Sequence, residues 1–273
     1  MTGVGLKMLR MDYQYHMQLS FSEPVSRHHF TLRCFPANNE RQKIIKEQIQ
    51  IDPFYTGGTE TDSFGNRYMY GVVEKQHTAF SVNVSGTACV YGDISLPVHG
   101  VHTIGMFRYH TALTKMGPGL GKIHEKLPDI RRSALLTPEN AMLWMDVVYH
   151  SIRYVQGVTQ VTTTAENAAE LGMGVCQDYA HIFLALLRKE HVPCRYVVGM
   201  MSGEGASHAW VEIFDGEKWL GLDPTNNCPV DDRYICISHG RDAKDCSMNL
   251  GYYYGSPRQV QEIHVVVEEN KDD

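Results

Sequence analysis

Hydrophobic and polar positions change their rhythm near the middle of the chain. In the first half the apolar positions come in short, partly alternating runs: MDYQYHMQLSF (11–21), TLRCFP (31–36), IIKEQIQI (44–51) and TAFSVNVSGTACVYG (78–92). Alternation sends successive side chains to opposite faces, so these runs predict half-buried strands. TDSFGNRYMYGVVE places Gly65-Asn66 between two candidate strands, a dipeptide able to take positive φ in a tight hairpin turn. Short strands at such spacing predict a β domain over 1–92, sandwich-like or barrel-like, with the sandwich preferred. No residue cluster there looks chemical, and His28-His29 reads as a surface pair.

Residues 93–137 are rich in proline and glycine (SLPVHG, MGPGLG, KLPD) and read as a connecting segment. Beyond it the period becomes helical. TPENAMLWMDVVYHSIRYV opens with Thr137 as N-cap and Pro138 in the first turn, and Met142, Met145, Val148, Ile152 and Val155 share a face. Thr163 and Glu166 suggest a capping box for a short helix. After Gly172 and Gly174 a third helix starts at Cys176, with Ala180, Phe183, Leu184 and Leu187 on one face and Pro193 as its stop. Strand-like runs follow at 194–201, 208–214, 218–224 and 259–269. Helices followed by antiparallel strands make an α+β pattern, with the core expected over 138–273.

Composition narrows the field. A net charge of −6 and a soluble globular balance of apolar and charged residues argue against nucleic-acid and membrane partners. No apolar run approaches the ~20 residues of a membrane helix, and the first twenty residues lack a signal-like apolar core. Seven cysteines, irregularly spaced and without a CxxC pair, suit a reduced, cytoplasmic setting. His191 and Cys194 stand three apart, but a zinc site needs about four ligands and no second pair is evident, so no metal and no cofactor is expected.

The chemistry gathers around Cys176. A helix N-terminus offers unpaired N–H groups and positive dipole, which favour a thiolate. A cysteine nucleophile also needs a base, and the base a third group to fix its ring. His208 opens one strand after the small-residue loop GEGAS, and Asp223 closes the next. If those strands pair through a turn at Asp215-Gly216, both residues fall at one end. Asp223 precedes Pro224 and also suits a turn former. Asp178 reads as a complement to the helix dipole. Trp210 is on the side of its strand that His208 occupies, either as a shield for the His–Asp pair or as core.

The segments GVCQDYAHIFLALLRKEHVPCRYVVGM, SHAWVEIFDGEKWLGLDPTNN and SHGRDAKD resemble the core of the bacterial transglutaminase-like superfamily. The three signature blocks stand in order at Gly174–Ala180, His208–Glu212 and Gly221–Thr225, and the front, with SEPVSRHHFTLRCFP and TDSFGN, is similar to the N-terminal region of one bacterial branch. The resemblance implies a papain-like core, Cys176, His208 and Asp223 as a catalytic triad, and a peptide or protein substrate. A cysteine peptidase or amidase is the expected activity. The alternatives are transfer to an amine, as in a transglutaminase, or a non-catalytic binding module on the same scaffold. Glu170 stands six residues before the cysteine, where papain-type proteases carry glutamine, so the more distant papain analogy stops there.

Overall fold

The alternation that begins near the N-terminus runs further than the sequence suggests. In the structure, a computed structural model that describes residues 8–92 and 101–271, β1 is one strand, Met8–Leu32, which absorbs the 11–21 run and the start of the 31–36 run. It is followed by β2 (Gln42–Asp52), β3 (Thr56–Thr61), β4 (Arg67–Val73) and β5 (His77–Tyr91). Then come α1 (Pro118–His124), α2 (Pro138–Ser151), β6 (Arg153–Tyr154), α3 (Ala165–Leu171), β7 (Met173–Gly174) and α4 (Cys176–Lys189). The remaining strands are β8 (Cys194–Met201), β9 (Gly203–Gly205), β10 (His208–Phe214), β11 (Trp219–Asp223), β12 (Cys228–Pro229), β13 (Tyr234–Gly240), β14 (Asn249–Tyr254) and β15 (Gln259–Glu269).

The first half of β1 lies antiparallel between β5 and β15. The pairing register shifts between Ser20 and Val25 and again between Ser26 and His29, and Arg27 sits at φ 45°. Such irregularities bend a strand, and the second half of β1 pairs instead with β4 and β14. The bend rolls the sheet over its own apolar face, so Met11, Tyr13, Tyr15 and Met17 share a core with Phe30 and Leu32. The sandwich-like half is thus one curled antiparallel sheet of eight strands.

The same shift of register corrects the reading of the histidine pair. His28 falls on the inward face with Phe30 and is buried against Phe21, Phe80 and Tyr253, while His29 is exposed. Burial, then the neighbouring His77 and His29, push the His28 ring down to about 4.

The last strand changes partners. The sequence places β15 beside the other strands of the core, but it pairs with β1 from Phe21↔Gln259 to Met11↔Glu269 and completes the curled sheet. Its outer edge takes β9, with Val265↔Gly205 and Val267↔Gly203. The expected connecting segment is no bare crossing: α1 buries Leu120 and Ile123 in the core around α4. Residues 1–7 of the expected first domain and 93–100 of that segment lie outside the described residues.

The second sheet has the order β12-β11-β10-β8-β13 and is antiparallel throughout. Helix α4 lies in the core it shares with this sheet, buried all round from Asp178 to Arg188, which is why Ile182, Ala185 and Leu186 are as apolar as the expected face. Helix α2 buries Ala141, Trp144, Met145 and Val148 and ends before Val155. Thr137 holds its N-cap position, but the hydroxyl donates to Ala134 O rather than capping. The capping box also resolves differently: Thr164 caps α3, and Glu166 reaches across to accept from Gly119 N and Leu120 N, capping α1. Among the described residues no helix is long and apolar enough to cross a membrane.

Candidate active site

The turn before Cys176 is built from both sides. Gly172 ends α3 in the left-handed region, at φ 66°. The chain then pairs briefly with β6, in parallel, as Arg153↔Met173 and Tyr154↔Gly174. Val175 is extended, and α4 begins with Cys176 half-buried at its tip. Asp178 folds back from the first turn: its Oδ2 accepts from Val175 N at 2.8 Å and from the Thr159 hydroxyl at 2.7 Å. A Cβ on Gly174 would lie 2.6 Å from the Cβ of Asp178, so only glycine fits under that carboxylate. Asp178 therefore does more than complement the dipole; it ties the cysteine's turn to the 155–164 loop. Burial raises its carboxyl above the ordinary range despite those two bonds.

The strand pairing expected through Asp215-Gly216 is present, with Phe214↔Trp219 and Val211↔Leu222, and it carries His208 and Asp223 to one end. His208 Nε2 donates to Asp223 Oδ2 at 2.7 Å. Cys176 lies near enough to the same ring to act on its charge, and with Nε2 committed to Asp223, Nδ1 is the nitrogen left for the thiol. Burial opposes charge on this ring. The Asp223 hydrogen bond and then the neighbouring Cys176 outweigh it and lift His208 to about 10.

Asp223 is fully buried and serves both of the readings the sequence left open, one oxygen each. Oδ1 accepts from the backbone N–H of Thr225 and Asn226, which is the turn-forming role. Oδ2 accepts from His208, from Asn226 Nδ2 at 2.7 Å and from the Tyr234 hydroxyl at 2.9 Å. Burial alone would raise the carboxyl; His208, followed by Asn226 and Tyr234, holds it below the usual carboxylate range. Trp210 belongs to the core and supports the site from there. It is buried and meets the Tyr234 ring edge-on at 5.5 Å, backing the residue that donates to Asp223.

Sequence reasoning missed Thr159, Asn226 and Tyr234. Asn226 had a local signal, three residues after the aspartate, where an Asx turn returns side chains to the same carboxylate. Tyr234 had none, since β13 reaches the site only by pairing with β8. Glu170 is exposed on α3, and a Cβ on Gly119 of α1 would lie 2.8 Å from its Cγ.

A cavity of about 650 Å³ opens over His208, walled by Tyr149, Ile152, Tyr154, Tyr179 and Met201. Arg153, His150, Thr225 and Asn226 form its polar part. No three His, Cys, Asp or Glu side chains converge as a metal site among the described residues. A buried carboxylate, an imidazole it holds and a half-buried thiol at a helix tip can together form and break an acyl thioester.

Comparison with known proteins matches two stretches of the chain. Residues 129–224 match the family described as the transglutaminase-like superfamily, and residues 11–88 match the bacterial transglutaminase-like N-terminal region. An uncharacterized protein of Mycobacterium leprae is 26% identical over 288 residues, covering 96% of this chain and 98% of that protein. An uncharacterized protein of Mycobacterium tuberculosis is 27% identical over 267 residues, covering 85% and 84%. The crystal structure of a "putative cysteine protease" from Cytophaga hutchinsonii superposes with a TM-score of 0.76 at 21% identity, covering 98% of this chain and 94% of that one. The fold is therefore shared along nearly the whole length.

Proposed function

Because the chain belongs to the transglutaminase-like superfamily, with the bacterial N-terminal region ahead of the core, we propose that it is a thiol acyl-transfer enzyme whose Cys176, His208 and Asp223 work as one unit. The observation that supports this most directly is the His208 ring, held by a buried carboxylate at 2.7 Å with Cys176 beside it at the tip of α4. The Cys176 sulfur attacks the carbonyl carbon of a peptide or amide. Backbone N–H groups at the start of α4, Cys176's own among them, lie where the developing oxyanion needs donors. His208 passes its proton to the departing amine as the C–N bond breaks, which leaves a thioester. The ring then takes a proton from water, the hydroxide adds to the thioester, and the acid leaves as the thiol is restored. Asp223 holds the ring with Nε2–H toward itself and stabilises the imidazolium.

With water as the second nucleophile the protein is a peptidase or amidase; with a lysine amine it is a transglutaminase. Hydrolysis is the reading we prefer, because it needs no second substrate site. A pure binding module has no use for a buried charge aimed at an imidazole. The test is mass spectrometry of a peptide mixture incubated with wild type and Cys176→Ala, with and without added amine. New termini that need Cys176 support hydrolysis, amine adducts support transfer, and identical mixtures from both proteins would sink the enzymatic reading.

A further inference from the structure

The cleft over His208 is electrically one-sided. Besides His208 it is lined by two basic groups, Arg153 and His150, and no carboxylate lines it among the described residues, although the chain as a whole carries −6. His150 is partly answered, its Nε2 lying 3.5 Å from Asp146, which does not line the cleft. Arg153 is not. Its side chain is exposed, and Nη2 donates to the uncharged thioether of Met173 at 3.6 Å. Arg33, Arg67, Arg195, Arg233 and Arg241 each lie against a carboxylate, whereas Arg153, like the arginines at 27, 131, 132 and 258, does not; what sets Arg153 apart is its place on the cleft.

The backbone under Arg153 is anchored to the cysteine's turn at several points. Arg153 N donates to Gly172 O at 3.0 Å, and Val155 N donates to Gly174 O at 2.9 Å, two residues before Cys176. The Tyr179 hydroxyl, from the first turn of α4, donates to Ile152 O at 2.8 Å. The backbone of the arginine is thus tied to the cysteine's turn, and its head group, on the wall of the cleft that His208 also lines, has no anionic partner among the described residues.

We propose that Arg153 is the specificity-determining residue of this cleft, and that the acyl donor carries a carboxylate close to the scissile amide. This rests on the thiol acyl-transfer reading of the same site. A guanidinium presents paired N–H donors whose spacing matches the two oxygens of a carboxylate. Beside it, Tyr149, Tyr154 and Tyr179 offer flat walls for the rest of the chain. An Asp or Glu side chain and the C-terminus of a peptide supply the same group, and the test separates them.

Wild type, Arg153→Met and Arg153→Glu are alkylated with iodoacetate and with iodoacetamide at pH 7 and low salt, and modification of Cys176 is timed by peptide mapping. Dividing the two rates removes any change in the thiol itself and leaves its preference for the anionic reagent. That ratio should fall on the order of 10-fold in Arg153→Met and further in Arg153→Glu, with the differences shrinking at high salt. A ratio equal in wild type and Arg153→Met would overturn the proposal. Failure of iodoacetamide to favour Cys176 over the other thiols in wild type would instead overturn the nucleophile reading, a different result. Peptides with Glu or Gln beside the scissile bond, each with a free or amidated C-terminus, then identify the source. A preference that follows Glu assigns the side chain, one that follows the free terminus assigns the terminus, and equal cleavage of all four overturns the proposal.

Discussion

Replacing Asp223 with asparagine changes one atom and confronts five donors. Oδ1 takes two backbone N–H groups, and Oδ2 takes His208, Asn226 and Tyr234. The new amide must turn its NH₂ toward one of these sets. Facing the backbone, it leaves two buried N–H groups without an acceptor, at about 1–3 kcal/mol each. Facing the side chains is cheaper, because the Tyr234 hydroxyl can rotate and the Asn226 amide can flip to accept. His208 can accept too, but only by carrying its proton on Nδ1, the nitrogen that serves the thiol. The base then has no lone pair toward Cys176. A comparable tautomer error in a serine triad costs ~10⁴ in turnover. Here the thiol is the stronger nucleophile, so a loss on the order of 10³ is expected. Losing the charge-assisted bond to His208 also costs about 2 kcal/mol of stability, or about 5 °C in Tm for a domain of this size. The full burial of the carboxylate and its two backbone partners are what make the change felt in Tm. The assay is iodoacetamide alkylation of Cys176 at pH 7 beside a thermal melt. The variant should react at least 10-fold slower and catch up in strong alkali, where hydroxide replaces the base. Wild-type alkylation at pH 7 with an unshifted Tm would refute the argument.

Three further outcomes are expected. Gly174→Ala drives a methyl into Asp178, so it should destabilise the chain by about 1–3 kcal/mol and slow Cys176 alkylation, checked by urea titration and labelling. Thr159→Val removes one of the two donors to the buried Asp178 carboxylate and should cost about 1–2 kcal/mol; an unchanged urea midpoint would remove Thr159 from the support of that turn. His208 has a folded pKa raised to about 10 against an ordinary value of 6.5, so it binds more protons folded than unfolded between those values. Its contribution to stability is complete below about pH 6.5 and lost as pH rises toward 10, so the gap in unfolding free energy between wild type and His208→Gln should narrow across that window.

What could be read in advance was local. The turn-helix at Gly174–Ala180 and the two strands around Asp215-Gly216 carry their instructions within a few residues, and all three proposed triad members come from them. What could not be read depends on distant partners. Glu166 looks like the end of its own helix's capping box, yet it caps α1 across 46 positions because α1 and α3 pack together. Both β1 and β15 have strand character, but only three-dimensional pairing reveals that they are neighbours. His28 shows the cost of one irregularity: a register shift at Ser26–His29 moves a residue from the surface to the core with no change in local pattern.

The pairing of β9 with β15 sets an order in time. The segment that leads into His208 is hydrogen-bonded to Val265 and Val267, made more than fifty residues later. The strand that receives it is itself held by β1, from the opposite end of the sequence. Contacts of such long separation form late. His208 itself is set by nearer partners, opposite Gly199 on β8 and bonded to Asp223, so what waits for β15 is the loop ahead of it. The entrance to β10 is thereby braced by strands from both halves of the chain.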